Sequence, residues 1–132
     1  MKLSIAAEYA VRGILVLTEE HGRGPVTLEA VCKRRKLPKQ YLTKLFAHLA
    51  KAGLIHPVRG KGGGYTLTRS PEQINLLQVI EAVEGPIILN LCQHTPSRCL
   101  QDLCKIRPMW TDLQKTVRQK LAALSLAQCM GQ

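Results

Sequence analysis

Residues 38–69 read PKQYLTKLFAHLAKAGLIHPVRGKGGGYTLTR, and the rest of the chain is arranged around them. Leu42, Leu45, Phe46 and Leu49 recur at i, i+3, i+4 and i+7, which on a helix of about 100° per residue makes one apolar stripe. Gln40, Lys44, His48 and Lys51 fall on the opposite face. Gly53 is placed to close the helix in the left-handed conformation, and residues 54–59, with Pro57 among them, leave as an extended segment. Residues 60–64 (GKGGG) form a turn, after which Tyr65 and Leu67 alternate with Thr66 and Thr68 in strand fashion. An amphipathic helix followed by a basic-tipped hairpin is the recognition unit of a winged helix. The helix suits the major groove and the ribbon suits the flanking minor groove or backbone.

The flanking sequence completes that unit. Residues 4–20 carry Ile5, Tyr9, Val11, Ile14, Leu15 and Leu17 and predict a first helix packed on most of its circumference; HGRGP at 21–25 breaks it. Thr27 is placed as the N-cap of a short second helix, with Glu29 in its first turn, Leu28, Val31 and Cys32 inward, and an end near Lys36. Pro38 suits the first position of the next helix, and two short helices joined this tightly make a helix-turn-helix. Downstream, Asn75 and Gln78 resemble a capping box, Leu76, Val79, Ile80 and Val83 form another stripe, and Gly85-Pro86 ends it. Residues 108–128 predict a last helix of roughly 30 Å, with Trp110, Leu113, Val117, Leu121 and Leu124 along a narrow seam that suits either its own domain or a second copy of the chain, the second favoured by its length beyond a compact winged helix. The expected fold class is mainly α with a small β-hairpin wing (α+β). Its divisions are a winged-helix DNA-binding domain (1–86), a cysteine-bearing sensor loop (87–107), a dimerisation helix (108–128) and a tail (129–132).

Charge points the same way. The formal net charge is +10, and residues 1–70 hold thirteen Lys/Arg against four Asp/Glu while residues 71–132 hold six against five. From Lys33 through Lys61 there are nine Lys/Arg and no acid, the footprint of a polyanionic partner such as double-stranded DNA. No stretch approaches 18 apolar residues and no signal-peptide pattern opens the chain, so no membrane partner and a cytoplasmic location are expected. The five cysteines are then expected to be reduced. No Ser-His-Asp pattern, dinucleotide fingerprint or paired-carboxylate motif argues for an enzyme, and GKGGGYT lacks the ending of a phosphate-binding P-loop.

On the recognition helix, Lys39, Gln40, Thr43 and Lys44 hold the outward N-terminal positions that meet base edges. Gln pairs with adenine, Lys donates to guanine, and Thr bonds a phosphate or touches a thymine methyl. Tyr41 reads either as a phosphate contact or as a half-buried core tyrosine, while His48 and Lys51 lie farther from the contact end. At the wing, Arg59 precedes the turn and Lys61 lies within it, a placement that fits a narrow minor groove. Cys92, Cys99 and Cys104 fall within thirteen residues without the paired Cys-x-x-Cys knuckles of a zinc ribbon. Structural thiols, an iron-sulfur cluster with a fourth ligand from elsewhere, and a thiol switch are three readings of this loop. Cys32 reads as inert core and Cys129 as part of a frayed tail.

The opening MKLSIAAEYAVRGILVL, the helix QYLTKLFAHLAKAGLI, the wing VRGKGGGYTLTRSP and the segment INLLQVIEAVEGP, taken in this order, resemble the winged-helix regulators of the IscR, NsrR and CymR type, the Rrf2 family. The resemblance covers nearly the whole chain. It implies a homodimer with crossed C-terminal helices, a roughly palindromic operator, and sensing of nitric oxide, redox or iron-sulfur status through a cluster (4Fe-4S or 2Fe-2S). Tyr41, Arg59 and Gly60 match family positions that contact DNA, whereas Pro38 and Gln40 replace serines common there. Cys92, Cys99 and Cys104 match the cluster cysteines. The place of the IscR-type histidine ligand is Arg107; Glu8 falls where some members of the family use a carboxylate from the partner subunit's first helix, which the resemblance implies as the fourth ligand, while a surface carboxylate is its other reading and His94 and Asp102 are alternatives.

Overall fold

A computed structural model describes residues 3–101 and 104–131. Helix α1 (Ile5–Glu19) starts where the Ser4 side chain accepts the Ala7 N–H, and it carries seven buried residues. Helix α2 (Leu28–Arg35) is capped by Thr27, whose hydroxyl accepts the Ala30 N–H, and it ends at Lys36 in the left-handed conformation. Helix α3 (Lys39–Lys51) buries Leu42, Leu45, Phe46 and Leu49, the stripe expected from their spacing. Pro38 stands one position earlier than expected, as a cap residue without a side-chain bond.

Strands β1 (Ile55–Val58) and β2 (Gly64–Leu67) form the antiparallel hairpin, with Ile55 opposite Leu67 and Val58 opposite Gly64. A third extended residue, Val26, joins it: Val26 and Tyr65 exchange both backbone hydrogen bonds, at 2.9 and 2.8 Å. The wing is thereby stitched to the loop that opens α2. The Tyr65 ring also meets Phe46 edge-on at 5.0 Å, so hairpin and recognition helix share one core.

That core lies between α1, α2, α3, the hairpin and helix α4 (Leu76–Glu84), with Ile14, Phe46, Ile74, Val79 and Leu126 fully enclosed. The Asn75–Gln78 capping box is formed in both directions and starts α4 where the sequence predicts. Gly13 permits the close approach of α1 and α3: a Cβ there would lie 2.8 Å from Phe46 Cε1 and 3.1 Å from Leu42 Cδ1. This fixes the recognition helix against the first helix with little slack.

The C-terminal segment departs from the expected single helix over 108–128. Helix α5 spans Arg107–Ala122 and stops, and a separate helix α6 (Leu126–Met130) follows. Two effects end α5. Ser125 and Gln128 form a second reciprocal capping box, and Leu126 is wholly buried, with its N–H on Ile74 O (2.9 Å) and the Leu76 N–H on Leu124 O (2.8 Å). Burying one leucine contributes roughly 2 kcal/mol, and the two backbone bonds add to it. Leu124 therefore leaves the seam, and Cys129 stands on a capped, docked helix rather than in a frayed tail. No residue of α5 is buried, and Ile106, Met109 and Leu113 are exposed beside it and along it.

Candidate nucleic-acid interface and cysteine loop

Lys39, Gln40, Tyr41, Thr43 and Lys44 are all exposed on the first turns of α3, and Arg59, Gly60 and Lys61 are all exposed at the wing tip. They are not equivalent. Lys44, Arg59 and Lys61 make no ion pair among the described residues. Lys39 does: its Nζ lies 2.6 Å from Glu29 Oε1 in the first turn of α2. The hydrogen bond to Lys39 is the main cause that holds the Glu29 carboxyl below its usual range, and the same bond holds the Lys39 ammonium above its own. The Thr43 hydroxyl donates to Lys39 O at 2.8 Å, which leaves its oxygen lone pairs as the outward function.

Tyr41 is partly exposed, and its ring meets Tyr9 of α1 edge-to-face at 5.6 Å. Arg12 sits over the other ring of this pair, 5.9 Å from the Tyr9 centroid. Ile5, Tyr9, Pro38, Gln40, Tyr41 and Lys44 line a shallow cavity of about 400 Å³ at this end of the helix. The Tyr41 ring is thus packed against α1 with part of it exposed.

The acid-free run of the sequence is not acid-free in space. Arg34 pairs with Glu19 at 3.1 Å and Glu20 at 3.2 Å, Arg35 pairs with Glu19, and Lys39 pairs with Glu29. Sequence reasoning missed these three carboxylates as partners because they precede the run. Their signal was present only in the predicted turn geometry, which folds α1 and α2 back against the basic helices.

The cysteine loop hangs between α4 and α5. Glu81 at the end of α4 accepts the Ile87 N–H at 3.0 Å and pairs with Arg118 of α5, so one carboxylate ties the loop entrance to the last long helix. Within the loop, Gln93 donates to Thr111 Oγ1 of α5 at 3.1 Å and lies 3.2 Å from Cys92 Sγ. Cys92, Cys99 and Cys104 are free and half-buried. Among the described residues, however, no three His, Cys, Asp or Glu side chains stand close enough to hold one metal ion. Glu8 instead lies 3.8 Å from Arg12 on its own helix. His94 lines a separate polar cavity, and Asp102 falls outside the described residues. Arg107, in the place of the histidine ligand, donates from Nη2 to Gln101 O at 2.9 Å. Three soft, free sulfurs on one loop fit an iron-sulfur cluster by donor chemistry.

A capped helix-turn-helix with a β-hairpin stitched to it and cations exposed on helix and wing is a winged helix-turn-helix of the DNA-binding regulator class. The match of the Rrf2 family, described as an iron-dependent transcriptional regulator, runs over residues 3–132, and the chain belongs to that family. It is 35% identical over 131 residues to the HTH-type transcriptional regulator IscR of Aliivibrio salmonicida, covering 98% of this chain and 77% of that one. Among solved structures it is similar to T. potens IscR (30% identity, TM-score 0.82, 99% and 87% of the two chains). It is also similar to CymR, the global cysteine regulator of B. subtilis (28% identity, TM-score 0.84, 98% and 95%). These relatives are named as regulators rather than enzymes. No helix among the described residues is long and apolar enough to cross a membrane.

Proposed function

We propose that the chain is a cytoplasmic, homodimeric regulator that binds a roughly palindromic DNA operator and is switched through Cys92, Cys99 and Cys104. The observation that carries the reading is the exposure of Gln40, Tyr41, Lys44, Arg59 and Lys61 on a helix and a hairpin locked to one core. In this reading Gln40 and Lys44 meet base edges, Lys39, Tyr41 and Thr43 meet backbone or thymine methyl, and Arg59, Gly60 and Lys61 enter the flanking groove. The exposed apolar residues Ile106, Met109 and Leu113 support α5 as the pairing element, since an unburied helix needs a partner to cover such a face.

An iron-sulfur cluster, when bound, supplies a group sensitive to nitric oxide, oxidation or iron supply. The three thiolates would hold it, with Glu8 of the partner subunit as fourth ligand. Gathering the sulfurs pulls on Gln93 and, through Thr111, on α5; DNA then discriminates the closed from the open state by its different affinity for each. A second reading, direct thiol oxidation of the same cysteines, is supported by all three being free and partly exposed thiols.

Anaerobic purification with visible absorption and iron and sulfide counts separates the two. A brown protein that loses colour in the Cys92→Ser/Cys99→Ser/Cys104→Ser variant supports the cluster; retained colour refutes these ligands. Lys44→Ala and Arg59→Ala are expected to weaken binding to duplex DNA without unfolding the chain, and unchanged affinity in both refutes the docking.

A further inference from the structure

We infer that Glu29 is a positioning and specificity-determining residue, an acid built into the DNA-facing helix pair to occupy Lys39 and keep it from serving as an indiscriminate phosphate anchor. The inference rests on the DNA-binding reading above.

Three observations lead to it. Glu29 and Lys39 lie ten residues apart, on different helices, and meet at 2.6 Å, within charge-assisted hydrogen-bond range. Both side chains are more than half exposed (65% and 59%), so the contact is not needed to fill the core, and an exposed pair of this kind stabilises a fold weakly. Its position is what gives it an effect. Lys39 opens the recognition helix, the end that approaches the duplex, and Glu29 stands in the first turn of the helix that crosses the backbone in this motif. A carboxylate there is repelled by phosphates, and it cancels the charge of the one lysine best placed to attract them.

The consequence is a division of labour among the cations. Lys44, Arg59 and Lys61, which have no carboxylate beside them among the described residues, attract any duplex. Lys39 contributes only where a correctly seated base or phosphate outcompetes Glu29. Non-specific binding comes almost wholly from phosphate neutralisation, so withholding one lysine weakens it by about one counterion's worth and leaves the seated complex better discriminated.

The test uses the full chain and a fluorescein-labelled 30-base-pair duplex of random sequence, titrated from low to high salt. Glu29→Gln is expected to tighten binding several-fold, up to about eightfold at 0.1 M salt, and to steepen the salt slope by about 0.9. Lys39→Gln alone leaves the Glu29 carboxylate facing the phosphates and is expected to weaken binding several-fold and flatten the slope by about 0.9; the Glu29→Gln/Lys39→Gln variant, which lacks both charges, is expected to return affinity and slope to those of the unaltered chain. A helix-packing role would move the melting temperature and leave the slope as it was. A Glu29→Gln/Lys39→Gln variant that keeps the tightened binding of Glu29→Gln, or an unchanged slope in Glu29→Gln, overturns the inference. Lys44→Ala and Arg59→Ala run alongside: if they fail to weaken binding, the interface itself is misplaced and the inference falls with it, whereas their loss together with an inert Glu29→Gln removes the Glu29 role alone.

Discussion

Gly64→Ala isolates the contact that holds the wing in register. Gly64 has φ +150°, a backbone conformation that side-chain-bearing residues rarely adopt. An added Cβ would lie 2.5 Å from the Val26 carbonyl carbon and 2.8 Å from Thr27 N. Both obstacles are backbone, so no rotamer change relieves them. Strain at such a position costs about 1–3 kcal/mol. The relief available is to separate Val26 from Tyr65, which sacrifices two hydrogen bonds at about 1 kcal/mol each. A total of about 3–5 kcal/mol corresponds to a fall of roughly 10–20 °C in melting temperature for a chain of this size. The control is Gly62→Ala: Gly62 also has positive φ (+78°), but its Cβ would meet nothing within 4 Å, so only the strain, at the low end near 1 kcal/mol, is expected. Thermal denaturation followed by circular dichroism reads the difference, and hydrogen exchange at Val26 and Tyr65 locates it. Duplex affinity should fall further in Gly64→Ala than in Gly62→Ala, because the wing loses its attachment to the helix-turn-helix. Equal melting shifts in the two variants, with the Val26 and Tyr65 amides still protected, would refute the reasoning.

Lys36→Gly is expected to stabilise the fold by about 1 kcal/mol, since Lys36 is the only non-glycine residue with positive φ among those described, and to weaken duplex binding by removing a cation beside the recognition helix; a lowered melting temperature would contradict this. Arg118→Ala should loosen α5 from α4 by about 1 kcal/mol, the pair being only partly screened, and speed exchange of the Ile87 amide that shares Glu81; unchanged exchange would deny the carboxylate its tying role. Cys32 is pushed to higher pKa by burial first and by the Glu29 charge second, so its thiol stays protonated where a free cysteine ionises. Because the folded state then holds the proton more tightly, the contribution to stability is intact below about pH 8.5 and declines as pH rises toward the folded value. Mass-spectrometric alkylation at pH 8.5 should find Cys32 reacting more slowly than free cysteine, and an equal rate would show that the side chain is not desolvated. For the proposed dimer, log affinity for duplex DNA against log salt should have a slope on the order of −6 to −10; a flat response would take the basic helices out of the proposed interface.

The fold was legible wherever a periodic pattern and a cap agreed. Leu42 to Leu49 set the buried face of α3, and Asn75 with Gln78 placed the start of α4 to the residue. The break between α5 and α6 carried the same kind of signal, Ser125 with Gln128, but it lay inside a run whose apolar spacing continued without interruption. Spacing alone cannot say that the chain turns at Leu124, which stays exposed, to enclose Leu126 in its own core. That turn belongs to Ile74 and Leu76, fifty residues away, whose backbone groups bond Leu126 and Leu124. The candidate interface divides along the same line. Exposure of Gln40, Lys44 and Arg59 followed from local pattern, whereas the pairing of Lys39 with Glu29 depended on how the turn folds one helix against the next. The cysteine loop shows the limit most directly, because a list of soft donors states what could bind iron but not where the donors meet. Cys92 is held toward α5 by Gln93, and Arg107 reaches back to Gln101, two attachments made by residues without any periodicity to announce them. If the loop closes to bind its signal, those attachments are what must give way, and α5, not the helix-turn-helix, is the first element to feel it.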